Sequence, residues 1–180
     1  MHKKLAAFAL VLVLAACGED RVAEAPPPPF ELTTSAMGNY CGMNVLEHPG
    51  PKGHIILESR LEPVWFSSAR DVFAFTMLPE EPKDIRAIYV SDMAKTQDWD
   101  HPGATNWVEA RKAYFVIGST RAGGMGAPET VPFSTEEAAQ EFVRTYGGDI
   151  RRFDEVPQDY VLGNAETGDA APETPHTGSH

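Results

Sequence analysis

Four consecutive prolines, Pro26 to Pro29, set the firmest limit on where this chain can fold. Each ring fixes φ and removes a backbone donor, so such a run joins neither helix nor sheet and favours the extended polyproline II form. Residues 17–35 are therefore read as a spacer. At the other end, residues 157–180 carry Gly, Pro, Thr and acidic side chains with few apolar ones, the composition of a disordered acidic tail. Between these limits lie residues 36–156, about 120 residues, enough for one modest core and too few for two full domains.

The first sixteen residues have a different purpose. His2, Lys3 and Lys4 precede an apolar run over residues 5–13 and then Leu14-Ala15-Ala16-Cys17, the three parts of an export signal. The apolar run is too short to span a bilayer comfortably, and no second one follows. The Leu-Ala-Ala-Cys ending resembles the lipobox of bacterial lipoproteins, which implies cleavage after residue 16 and acylation of Cys17. With Gly18 rather than Asp next to it, that resemblance points to the periplasmic side of the outer membrane. A soluble periplasmic protein is the alternative. Loss of Lys3 and Lys4 with the leader takes the formal charge from −11 to −13. A chain this acidic, with no basic stripe, repels phosphate backbones, which excludes a nucleic-acid partner.

Within the core, one order of elements appears twice. Residues 54–60 and 63–66 read as strands, Ser67 or Ser68 caps a helix reaching Met77, and residues 85–90 form a third strand. Residues 113–117 and 130–133 are again strands. Ser134 followed by Glu137 makes a capping box for a helix to Tyr146, Gly147-Gly148 stops it, and residues 149–153 return as a strand. The expected fold is α+β, two small strand-strand-helix-strand units forming one compact domain.

Chemistry gathers at Cys41. With Cys17 acylated, Cys41 has no partner for a disulfide, and in an oxidising compartment a lone thiol must stay reduced or bind something. Met43 lies two residues away, and a thiolate beside a thioether favours Cu(I) over cations that prefer oxygen. Met77 falls on the apolar face of the first helix and reads as core. Met125, between Gly124 and Gly126, has no periodicity asking for an apolar side chain, so a ligand role stands beside packing. Cys41, Met43 and Met125 would together offer Cu(I) a three-coordinate sulfur site.

Several segments in order resemble one family. Cys41-Gly42-Met43-Asn44-Val45 runs into Glu47-His48-Pro49-Gly50-Pro51-Lys52-Gly53. Tyr89-Val90-Ser91-Asp92, Asn106-Trp107-Val108-Glu109-Ala110, Tyr114-Phe115-Val116-Ile117-Gly118-Ser119 and Gly124-Met125-Gly126 follow. With the lipobox, these look like NosL, over about residues 39–156. The resemblance implies a lipid-anchored copper chaperone serving nitrous oxide reductase and its membrane assembly apparatus. It implies two strand-strand-helix-strand units and carries metal binding onto Cys41, Met43 and Met125.

The histidines divide by context. His48, with Glu47, offers an N/O ligand to copper or to a second, harder ion; a surface histidine opening a Pro-Gly turn is the equal alternative. His54 opens a strand and reads as structural. His101 sits among Asp98 and Asp100, a weaker ligand candidate, and His176 and His180 lie in the tail. Met37 and Met93 are reserve sulfur donors. Two rival classes remain: a lipid-anchored enzyme pairing Cys41 with His48 or His101, and a protein-binding scaffold. No nucleophile elbow, oxyanion-hole motif or phosphate loop supports the first, and the second leaves the sulfur donors unused.

Overall fold

The computed structural model describes residues 25–124 and 126–163. The leader, Cys17, Met125, His176 and His180 lie outside them. Two antiparallel sheets are built on the same plan. β1 (Gly53–Leu57), β2 (Val64–Phe66), α1 (Ala69–Met77) and β3 (Ile85–Ser91) make the first unit, in which β1 lies between β2 and β3. β4 (Trp107–Glu109) adds a strand beside β3 that the sequence reading lacks. β5 (Tyr114–Ile117), β6 (Val131–Phe133), α2 (Glu136–Tyr146) and β7 (Asp149–Arg152) repeat the plan, with β5 between β6 and β7. The expected α+β fold of two related units is the one observed.

Side-chain alternation decides what each face covers. Ile55 and Leu57 of β1, with Ile88 and Val90 of β3, face α1. Phe115 and Ile117 of β5 join that same core, and the Phe73 and Phe115 rings meet edge to face with centroids 4.8 Å apart. α1 is therefore held between the two sheets, which is why Val72, Phe73 and Phe75 are all buried. Burying each Phe stabilises the fold by roughly 1.5–3 kcal/mol. Val116, between Phe115 and Ile117, points the other way and packs with Val131, Phe133 and Ala139 against α2.

The second face of β1 and β3 carries His54, Tyr89 and, from β4, Trp107. The proline segment lies over it. Tyr89 Oη donates to the Pro27 carbonyl at 2.7 Å, the Phe30 N–H donates to His54 Nε2 at 3.1 Å, and the Leu32 N–H donates to Ala104 O at 2.8 Å. The segment expected to be a free spacer up to residue 35 is thus laid down from Pro27 onward, because the outer sheet face is aromatic and needs cover. His54 is structural, as expected, and burial pushes its pKa down to about 3.

Two local expectations are corrected. The cap of α2 is Thr135, whose side chain accepts from the Ala138 N–H; the Ser134 N–H is taken by Asp92 Oδ1 at 2.9 Å, so Glu137 has no backbone donor there to complete the expected box. Residues 158–162, placed in the disordered tail, form α3 (Gln158–Leu162). Val161 is buried against the main core, and Tyr160 Oη donates to the Glu129 carbonyl at 2.8 Å. Among the described residues, no helix is long and apolar enough to cross a membrane.

Candidate metal site

Cys41 sits in a tight hairpin along the outer edge of β2. Met37 and Asn44 bridge across its neck, the Gly38 N–H donates to Met43 O at 2.8 Å, and the Asn39 N–H donates to Trp65 O at 2.7 Å. Glycine at 38 leaves room for both side chains: a Cβ there would stand 2.5 Å from Cys41 Sγ and 2.8 Å from Ser67 Oγ. That space lets the thiol reach Ser67 Oγ at 3.3 Å, a hydroxyl able to donate to a thiolate. Tyr40 fastens the turn from the other side. Its hydroxyl donates to Glu81 Oε1 at 2.9 Å and is held above its ordinary pKa by burial, with the carboxylate adding to the effect. Met43 is 39 % exposed and Met37 51 %, so this hairpin presents two thioether side chains at the surface.

Downstream, the Asn44 side chain caps a 3-10 turn, Val45–Glu47, and delivers the chain to His48. The next bend is held from inside by Lys52, only 2 % exposed, whose Nζ donates to the His48 carbonyl and, at 2.7 Å, to Gly50 O. Burial pushes the Lys52 pKa down to about 8, opposed by the carboxylates of Glu129 and Asp100. His48 Nε2 is buried and, among the described residues, has no hydrogen-bond partner. A buried imidazole nitrogen left unpaired costs free energy unless something accepts or coordinates it.

The loop that carries Met125 comes to the same place. A Cβ on Gly124 would lie 2.3 Å from the Pro49 carbonyl oxygen, so backbone meets backbone there. Gly50, at φ +86°, donates its N–H to Trp99 O at 2.9 Å and adds a third segment to the contact. Gly126 also has positive φ, +74°. Met125 itself is outside the described residues, but both flanking glycines are placed.

Glu129 is the residue the sequence reading missed. It is buried, and Oε1 accepts from Ser68 Oγ at 3.1 Å, from the Arg70 N–H at 2.8 Å and from the Thr130 N–H at 2.9 Å. It thus occupies the N-terminus of α1, where free amides and the helix dipole favour an anion. Burial nevertheless pushes its pKa up to about 7. Oε2 lies against Gly123, where a Cβ would stand 2.7 Å away. Glu129 therefore links the Ser67-Ser68 corner under Cys41 with the loop that carries Met125. The only signal in the sequence was a lone carboxylate before a strand, which is usually a solvated loop residue.

Other candidates stay apart. His101 is exposed and shares its Nδ1 with Asp98 Oδ2 at 3.3 Å. Met93 is buried in the α2 core. Among the described residues, no three His, Cys, Asp or Glu side chains converge to hold a metal. A metal held here would depend on thiolate, thioether and imidazole, a soft donor set of low number.

A family model described as NosL matches residues 29–161. A protein named copper-binding lipoprotein NosL from Achromobacter cycloclastes is 47% identical over 165 residues, 91% of this chain and 84% of the relative. One of the same name from Stutzerimonas stutzeri is 29% identical over 86% of this chain and 79% of the relative. The crystal structure of the copper chaperone NosL from Shewanella denitrificans superposes with a TM-score of 0.69 at 35% identity, over 74% of this chain and 98% of that one. None of these names is that of an enzyme.

Proposed function

Because the chain belongs to the NosL family, we propose that it is a lipid-anchored carrier that binds Cu(I) through Cys41, Met43 and Met125, with His48 as a further donor. It is not an enzyme; copper is its cargo. The observation that carries the reading is the unpaired Nε2 of His48, buried beside Pro49 where the backbone of Gly124 packs. His48 precedes the residue that Gly124 meets, which supports reading it as a donor alongside the Met125 loop, and the relatives' names suggest the metal.

Each donor has a distinct task. Cys41 binds as thiolate and gives up its proton when the metal arrives, and the Ser67 hydroxyl supports the resulting charge on Sγ. Met43 and Met125 add neutral sulfur, which favours Cu(I) without building up charge. A metal with so few donors leaves a direction open to a partner's sulfur or imidazole. Copper then passes by ligand exchange without release into solvent. The recipient in this reading is the membrane assembly apparatus of nitrous oxide reductase, reached from the periplasmic side of the outer membrane, where Cys17 carries the lipid. Among the described residues the Cys41 thiol's hydrogen-bond partner is Ser67 rather than a histidine, which favours a carrier over a Cys-His enzyme.

A deletion strain provides the test. Its nitrous oxide reductase should lack part of its copper under copper limitation, this chain should restore it, and Met125→Leu should restore it poorly. Reductase fully loaded without this chain would overturn the assignment.

A further inference from the structure

The loop carrying Met125 begins at Arg121, and Arg121 forms one wall of a cleft that none of the copper donors lines. The cleft holds about 230 Å³ and continues into a groove of about 310 Å³ along α2, with Met93, Phe133, Phe142 and Tyr146 common to both. The Arg121 guanidinium lies 4.5 Å from the Trp99 ring centroid and 5.5 Å from that of Tyr146. Two aromatic faces hold it in place, so little side-chain entropy is lost when its donors are used.

Those donors are largely free. Nη1 reaches Tyr146 Oη at 3.5 Å, a long bond, and among the described residues no carboxylate pairs with the guanidinium. Stacking on Trp99 and Tyr146 accounts for where Arg121 sits. It leaves the planar donor set that Arg121 brings to the wall of the cleft, beside Met93, Phe133 and Phe142, without a use.

We propose that this cleft docks an extended segment of a partner protein in which a carboxylate neighbours an apolar side chain of leucine size. The carboxylate takes the guanidinium in the paired geometry that Arg favours, and the apolar side chain covers Met93, Phe133 and Phe142. Charge selects the occupant. Glu141, which also lines the groove, is already paired with Arg144, whereas among the described residues no carboxylate meets Arg121, so a carboxylate brought to this guanidinium finds an uncompensated charge. That the partner is the copper acceptor rests on the function proposed above. Position supports it: Trp99, a wall of the cleft, accepts the Gly50 N–H two residues after His48, and Arg121, the other wall, opens the Met125 loop, so the cleft adjoins both loops.

The test uses the full lipidated chain, loaded with Cu(I) in detergent micelles. Acetyl-Gly-Leu-Asp-Gly-amide and its Asn counterpart are titrated while the side-chain N–H signals of Trp99 and Arg121 are followed by NMR. The Asp peptide should shift both signals in a saturable way, and the Asn peptide should bind at least about tenfold more weakly, the equivalent of ~1.4 kcal/mol. Arg121→Gln should erase the difference between the peptides, and Arg121→Lys, which keeps the charge, should keep part of it. Equal affinity for the two peptides, or no saturable shift with the Asp peptide, overturns the proposal. A chain that discriminates the peptides yet binds no Cu(I) keeps the cleft and removes the copper reading instead.

Discussion

Gly124 and Pro49 are in backbone contact: a Cβ added to Gly124 would lie 2.3 Å from the Pro49 carbonyl oxygen and 3.1 Å from its nitrogen. The two glycine-rich loops that the sequence separates by about seventy residues are therefore one structural unit, and the glycine is what permits it. Gly124→Ala should push them apart. Because backbone atoms receive the added methyl, the strain should cost about 1–3 kcal/mol, seen as a lower Tm. Copper affinity should fall as well, since His48 and Met125 no longer approach from fixed loops. An alanine variant with wild-type Tm and copper affinity would show that the contact does not matter.

Cys41 should matter most among the donors. A thiolate carries charge to the metal whereas a thioether does not, so Cys41→Ser should weaken Cu(I) binding more than Met43→Leu or Met125→Leu. The loss should be at least the roughly 10–100-fold that follows removal of a supporting outer-shell group. Competition against a colorimetric Cu(I) chelator measures it. Met43 is 39 % exposed, so its replacement by Leu should leave Tm nearly unchanged, and affinity alone should move.

Membrane attachment should depend on a single atom of the chain. Cys17→Ser should move the protein from the membrane to the soluble periplasmic fraction, since in the proposed reading acyl chains on Cys17 hold it there. Fractionation followed by mass spectrometry of the mature N-terminus reads both location and lipid. A membrane-bound serine variant would contradict the anchor.

Much of this was legible in the sequence, and the parts that were not share a cause. The strand-strand-helix-strand plan could be read twice because β1, β5, α1 and α2 carry their periodicity within a few residues of chain. β4 and α3 could not: Trp107-Val108-Glu109 pairs only because β3 offers an edge, and Tyr160 and Val161 turn inward only because α1 and the Glu129 carbonyl receive them. The same holds for the site. Cys41 and Met43 can be proposed from donor chemistry two residues apart, but Glu129 meets Arg70, 59 residues away, and no local pattern reports that. The proline run was read as a spacer, but from Pro27 onward it lies over an aromatic face that no single stretch of sequence shows, since His54, Trp65, Tyr89 and Trp107 come from different strands.

Two buried groups should give stability opposite dependences on pH, and variants should separate them. Glu129 has a folded-state pKa of about 7 against a usual 4.5, raised first by burial. The folded chain thus holds that proton more tightly than the unfolded one. The stabilisation is complete below pH 4.5 and is lost as pH rises through about 7, at up to about 1.4 kcal/mol per pH unit. His54 behaves in the reverse sense. Burial lowers its pKa from 6.5 to about 3, so its contribution is complete above pH 6.5 and is lost as pH falls through about 3. Between pH 4.5 and 6.5 the two slopes oppose each other, and outside that window each acts without the other. Glu129→Gln keeps an oxygen to accept from Ser68, Arg70 and Thr130 while removing the charge. Chemical denaturation should therefore show its stability relative to wild type rising between pH 5 and 7.5. His54→Gln should lose stability overall, because the aromatic packing around the imidazole goes, but its deficit should narrow from pH 6.5 toward pH 4. A Glu129→Gln difference that stays constant across the range would mean that the carboxylate remains ionised where it is buried, held by its three donors.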